Sequence, residues 1–527
     1  MEDSFFPPNP EVTEAELASD IATANSTAAD TDQIRPRKSV GLVFVSWAMV
    51  LLVAFGIAAL VAASQFLVPK SMELSGAEKI QIELIAKTLV GIAQPESQAM
   101  EQIAGFKTGP LEQRWCHVIL VNEIQGPDAA IEQLLQVDQD LDQAVAKREE
   151  LRPVDTVTSD ESKETDPEDF PNDTQIAVRS TLGQLLQQYS NGNLDSGDLG
   201  EEEKQQLIDR LGWPGRLLLY PKESPNEEAR EKLESEGFKT IIVATLAMVA
   251  GFFAIIGALV AVFALMAIFA ARGVRPRFYD PTNYSFVYIE TFAIWLVGFF
   301  GSQVLLQQLL AVFQFEKWTL ALTPVIFFGS LIVLAWPRIR GIPFGKIRKD
   351  IGLELRNPFV EVAIGGVSYF ALMIPMVVGI GISVLIGLGL SMIETIQDFE
   401  STGPAGHPIA DEIAAGGWMS SIMIIVSACV AAPIVEEIMF RGVLYRYLRD
   451  MTSKNKARGI SVAGSSIVGG LIFAMVHPQG LIGIPILTTL AIGFSLVREW
   501  RNSLIAPMVM HAMNNGIVTC LLLSLLS

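Results

Sequence analysis

The chain has 527 residues, half of them hydrophobic and only 18% charged, with a mean hydropathy of +0.39. That balance excludes an ordinary soluble domain, which runs near a quarter charged, and a disordered chain. It reads as a polytopic membrane protein, and the net charge of −19 speaks against nucleic-acid binding, which needs a basic face. Residues 70–238 hold 34 Asp and Glu against 16 Lys and Arg, so nearly all the imbalance sits in one segment. Cys116, Cys429 and Cys520 are odd in number, far apart and without a CxxC pair. They give neither a disulfide framework nor a thiolate metal site.

In chain order, residues 1–39 form a polar, acidic tail that ends in Arg35-Pro36-Arg37-Lys38. The tail reads as disordered, and the basic cluster places it in the cytoplasm. Residues 40–69 supply the first transmembrane helix, because Val40 to about Val68 exceeds the roughly 20 apolar residues a bilayer requires. A cleaved signal peptide is the competing reading. The apolar run is too long for one, and the polar tail precedes it.

Residues 70–238 are an acidic, mostly helical, extracytoplasmic insert. Helical spacing of apolar residues marks Ala77–Ala93, Asp128–Arg148, Leu182–Gln188, Glu201–Leu211 and Asn226–Gly237, with an acidic linker from Arg152 to Asp173. Nothing in it looks catalytic. His117 reads as a packed or surface histidine, and His407 as a surface residue of an acidic outer loop.

The remainder is a transmembrane bundle, with helices 2–4 over 239–356 and the rest over 357–527. Apolar runs near 240–271, 283–313, 318–336, 359–391, 415–445, 460–478, 481–497 and 503–525 bring the total to about nine spans of an all-α fold. The arginine and lysine clusters at 272–277, 338–349, 446–458 and 498–501 fall on alternate loops, which would all be cytoplasmic. The run at 240–271 would be about 48 Å long as a helix, so it should project into the insert. No internal repeat is evident.

Ionisable groups inside the spans are costly, and they cluster in the last hundred residues. Glu437 and Arg441 are spaced i,i+4 and can pair, while Glu436 points elsewhere and is a candidate general base for activating water. His477 follows Phe473 by one turn and precedes Pro478, so it sits at a helix end. His511 and Asn515 are again i,i+4 and can donate side by side to a developing oxyanion. Glu436 lies ten residues before Arg446, and His511 ten after Arg501, so both sit about 15 Å from the same face. His477 fits that depth only if the stretch Ser461–Gly470 begins outside the bilayer or its helix tilts. Singly, each residue has a plain reading, as a structural ion pair or interhelical glue. Their conjunction points to chemistry. Glu436, His477 and His511 are also the candidate ligands of a divalent metal such as Zn²⁺, although no HExxH pair is present.

Glu436-Glu437-x-x-x-Arg441, Phe473-x-x-x-His477 and His511-x-x-x-Asn515, in this order on separate membrane helices, resemble the CAAX-protease and bacteriocin-processing family. This family, also called the abortive-infection family, includes the type II CAAX prenyl endopeptidases and their bacterial relatives. The resemblance covers about 357–527. It implies an all-α intramembrane endopeptidase in which Glu436 and His477 activate water, His511 and Asn515 stabilise the oxyanion, and Glu437 and Arg441 orient the site. Both metallo- and glutamate-type mechanisms are argued for the family. The expected substrate is a membrane-associated protein or peptide, with the insert at 70–238 a candidate partner-binding module. The expected location is the cytoplasmic membrane, multi-pass, with the N-terminus inside. The competing classes are an ion-coupled transporter, whose buried Glu and His would relay protons, and a non-catalytic immunity or scaffold protein.

Overall fold

The computed structural model describes residues 36–66, 76–150, 173–197, 199–272, 282–315, 318–354, 357–397, 418–453 and 458–526. Residues 1–35 of the N-terminal tail, most of the 152–173 linker and His407 lie outside them. Among the described residues every regular element is a helix. Eight helices are long and apolar enough to cross a membrane. They are α1 (Val40–Phe66), α9 (Glu227–Arg272), α10 (Phe286–Val312), α11 (Thr319–Ile339), α13 (Pro358–Gln397), α14 (Trp418–Ser453), α16 (Gly480–Arg501) and α17 (Ile505–Leu526). A ninth apolar helix, α15 (Arg458–Met475), is shorter. Their outer faces carry exposed Leu52, Ile332 and Phe359 (75–85% accessible). Such a surface is tenable in lipid, where the helical backbone is satisfied internally, and not in water.

Residues between α1 and the membrane part of α9 build the insert from α2 (Gly76–Gly91), α3 (Glu96–Ile103), α4 (Leu111–Gln125), α5 (Pro127–Glu150), α6 (Asp173–Ser190), α7 (Glu201–Leu211) and α8 (Trp213–Leu219). Helices α3, α4 and α8 lie outside the stretches marked by helical spacing. In α4 the reason is plain, because Trp115 through Val121 are buried on every side of the helix. Helix α4 is thus the centre of a core shared with Leu182, Leu185 and Leu186 of α6 and with Leu217 and Leu218 of α8. His117 is buried there, and Cys116 is a free, fully buried thiol.

The expected projection of the long span is confirmed. Helix α9 runs unbroken for 46 residues, so the boundary read at 238 falls inside one continuous helix. Helix α2 lies along α9 at a glycine crossing. A Cβ on Gly91 would come within 2.6 Å of the Gly237 carbonyl carbon, and one on Gly237 within 2.6 Å of the Lys87 oxygen. Only glycine at both positions permits so close an approach.

A helix absent from the sequence reading, α12 (Phe344–Ile351), occupies the basic loop between α11 and α13. The main membrane core gathers α1, α10, α12, α14 and α15 around Val287, Phe292, Met439 and Phe440.

Candidate active site

The site forms where α14, the end of α15 and α17 meet. Helix α14 is not a regular α-helix. It widens into π-type turns at Ser427–Ala431 and again at Glu437–Leu444. Wide turns of this kind are rare and concentrate at functional sites. Pro433 sits between them and has no N–H, so the carbonyl of Ala428, five residues earlier, lacks its π-type backbone donor. Asn515 of α17 answers this need, and its Nδ2 donates to the Ala428 oxygen at 2.8 Å. Asn515 Oδ1 in turn accepts from Asn514 at 3.2 Å. The sequence set Asn515 beside His511 as an oxyanion donor; its observed hydrogen bonds brace α17 against the first wide turn.

The second wide turn carries Glu437 and Arg441, both fully buried. Arg441 Nη1 donates to Glu437 Oε1 at 2.8 Å, as the i,i+4 spacing indicated. The same Oε1 lies 2.9 Å from His511 Nδ1, a contact that spacing could not foresee. Arg441 is also sandwiched by aromatics, 4.5 Å from the Phe473 ring and 5.1 Å from that of Phe494. Phe494 of α16 stacks on His511 at 5.4 Å. As an apolar residue in an apolar helix, it left no signal in the sequence.

His477 lies just beyond α15, as Pro478 suggested. Its Nδ1 is 2.6 Å from the Phe473 oxygen, so the motif phenylalanine fixes the ring through its backbone. The depth puzzle resolves through α15. Arg449 and Thr452 bond Ser461, and Thr452 Oγ1 lies 3.2 Å from Ser465 Oγ. Those contacts set the lower part of α15 level with Arg449 and Thr452. From there both Glu436 and His477 are a climb of roughly 20 Å at 1.5 Å per residue.

Glu436 is the group around which these side chains converge. Its Oε2 lies 3.7 Å from His477 Nε2 and 3.9 Å from His511 Nε2. Both distances are too long for hydrogen bonds, and this buried oxygen has no hydrogen-bond partner. Glu437 Oε2 and Arg441 Nη2 are likewise buried without one. The donor types suit zinc, but among the described residues no group of three His, Cys, Asp or Glu side chains is placed to hold a metal ion.

Residues 418–517 match the family model of the type II CAAX prenyl endopeptidases, Rce1-like. Glu436, Glu437, Arg441, His477, His511 and Asn515 all fall inside that segment. Over 89 residues the chain is 30% identical to the membrane-embedded CAAX protease MroQ of Staphylococcus aureus (strain USA300). The matched stretch covers 17% of this chain and 35% of that protein, so the chain spans about a third of the relative's length. No solved structure matches the chain.

Proposed function

We propose that the chain is an intramembrane endopeptidase that hydrolyses a peptide bond of a membrane-associated protein or peptide, using water activated by Glu436 and His477. The observation that carries this reading is the partnerless, buried Oε2 of Glu436 facing two imidazole nitrogens. The Phe473 carbonyl can only accept, so His477 Nδ1 donates to it. The Glu437 carboxylate accepts a hydrogen bond from the Nδ1–H of His511 in the same way. In neutral rings both Nε2 atoms then carry lone pairs. Three acceptors pointing at one another repel, and a water molecule donating two hydrogens satisfies two of them.

In the proposed step, water donates to Glu436 and His477 and attacks the scissile carbonyl. Glu436 takes the proton as the new C–O bond forms. The proton passes to the leaving nitrogen as the C–N bond breaks, giving a carboxylic acid and an amine, which then exchange the remaining proton to become carboxylate and ammonium. His511 can donate to the oxyanion only when its ring carries a second proton, whose charge the adjacent Glu437 offsets. The second amide hydrogen of Asn515 is the further donor. Arg441 and Glu437 act as positioning residues, fixing the orientation of His511 as a carboxylate does in a hydrolytic triad. No step passes through a metal ion.

The same reading puts the N-terminus and the arginine-rich helix ends in the cytoplasm of a cell bounded by its inner membrane, with the insert on the far side as a candidate docking module. The test compares new peptide termini in membranes holding equal amounts of wild type and Glu436→Gln. Termini that appear only with wild type are expected, and they name the substrate. Identical profiles across growth conditions, with the variant folded, would remove the peptidase reading. Loss of turnover on chelation, with recovery at one equivalent of Zn²⁺, would reassign Glu436, His477 and His511 as metal ligands.

A further inference from the structure

Helix α12 has two unlike faces. Ile347 and Ile351 are buried in the main membrane core. Asp350 is buried beside them and accepts hydrogen bonds from the hydroxyls of Tyr284 at 2.9 Å and Tyr288 at 2.7 Å. The outward face carries Arg348 and Lys349, both exposed, with Phe344 (56% accessible) at its start. Exposed Arg338 and Ile339 (73% accessible) end the adjoining span α11. Arg37 and Lys38, also exposed, precede α1. Arg340 Nη2 donates to the Arg37 oxygen at 3.0 Å, which ties both ends into one patch. Two acidic groups at this end are paired and buried: Asp450 lies 3.5 Å from Arg446, and Glu499 lies 2.8 Å from Arg449, all four buried. Among the described residues, what is exposed here is a run of five basic side chains mixed with Phe344 and Ile339, with half-buried Glu354 after α12. It lies level with the ends of two membrane spans, on a chain whose overall charge is −19.

We propose that α12 and the flanking helix ends form an interfacial platform for anionic phospholipid headgroups, phosphatidylglycerol being the probe class. Charge complementarity selects the headgroup, and Phe344 and Ile339 enter the acyl boundary, as in amphipathic interfacial helices. The platform bears directly on the candidate active site, and in that respect it rests on the peptidase reading. A Cβ on Gly442, in the wide turn that carries Glu437 and Arg441, would come within 3.1 Å of Ile351. Arg498 Nη2 of α16 reaches the Asp350 oxygen at 3.4 Å. The Leu504 amide, leading into α17, donates to the Gly352 oxygen at 3.2 Å. Gly352 holds φ at +82° against the Arg498 guanidinium, a position only glycine fits. Headgroups that seat α12 therefore steady α14, α16 and α17 at once.

The test titrates the full-length protein in zwitterionic nanodiscs with phosphatidylglycerol and compares Arg348→Gln/Lys349→Gln. Both substitutions are exposed and outside the core. Wild type should prefer phosphatidylglycerol over phosphatidylcholine, and the double variant should lose about 25-fold in apparent affinity, fivefold for each charge removed. Equal affinity of variant and wild type, or equal response to the two lipids, would overturn the proposal. So would an acidic peptide that binds phosphatidylcholine nanodiscs as tightly, which would make the patch a peptide site. Glycerol phosphate matching the lipid would make it a soluble-anion site. The second readout is hydrolysis in the two lipids, with phosphatidylglycerol expected to raise it in wild type only. If no hydrolysis occurs in any lipid the peptidase reading fails, while the affinity comparison still decides the platform.

Discussion

Among the buried arginine–glutamate pairs of this chain, one in the insert and one beside Glu436 make the sharpest contrast, because the first is complete and the second is not. In the insert, Arg230 donates from Nη1 and Nη2 to both oxygens of Glu123 at 3.1 and 2.7 Å. It also donates from Nε to Glu234 at 2.9 Å and from Nη1 to the Tyr220 oxygen at 3.2 Å. Each of its nitrogens is used. In the membrane, Arg441 and Glu437 share one hydrogen bond and each keeps a buried atom without a partner, beside the equally unpartnered Oε2 of Glu436. A saturated pair is structure. An unsaturated one, in the more costly solvent, is what persists where small molecules must be bound and changed. The contrast separates a supporting domain from the proposed reacting centre without appeal to the family.

The comparison breaks most sharply at Arg441. Arg441→Ala strands Glu437 as a buried charge, at a cost of about 3–5 kcal/mol. Folded yield and turnover should fall together; normal yield of active protein would show that the pair does not position the site. Arg230→Ala should cost less, about 3 kcal/mol at most, because Lys222 lies 3.8 Å from Glu123. It should lower the melting temperature of the insert and leave hydrolysis by the surviving folded protein unchanged. A fall in turnover per folded molecule would tie the insert to the chemistry.

A finer cut concerns the first wide turn. Asn515→Ala leaves the Ala428 carbonyl without its donor and should cost about 1–3 kcal/mol. Pro433→Ala returns an N–H that can reach that carbonyl. The double variant should therefore be less destabilised than the sum of the singles. Strict additivity in thermal unfolding would refute the bracing role.

A separate effect is one of pH. Burial, followed by Lys107, pulls the His117 imidazole down to about 4 from its ordinary 6.5. The unfolded chain takes up a proton below 6.5 that the folded one resists. Protection of α4 in hydrogen exchange should therefore be full above about pH 6.5 and decline toward pH 4. His117→Gln should flatten that slope.

Much of this was legible in the residues. Length and apolarity reported the spans, and spacing reported the Glu437–Arg441 pair and the helix-end position of His477. Periodicity missed α4 because a helix buried on all sides has no stripe, and it missed α12 because eight residues in a basic loop read as topology signal. The link from His511 to Glu437 and the stacking of Phe494 depend on how separate helices meet, which no local pattern encodes. The role of Asn515 needed the wide turn at Ser427–Ala431, and only the presence of Pro433 hints at a missing donor there.

The most direct test of Glu436 as the activating base uses purified full-length protein, a substrate found by terminus mapping, and H₂¹⁸O. Wild type should place one ¹⁸O in each new carboxyl terminus. Glu436→Gln should slow that incorporation by about a hundredfold or more at an unchanged melting temperature. Incorporation by the variant at the wild-type rate would contradict the account.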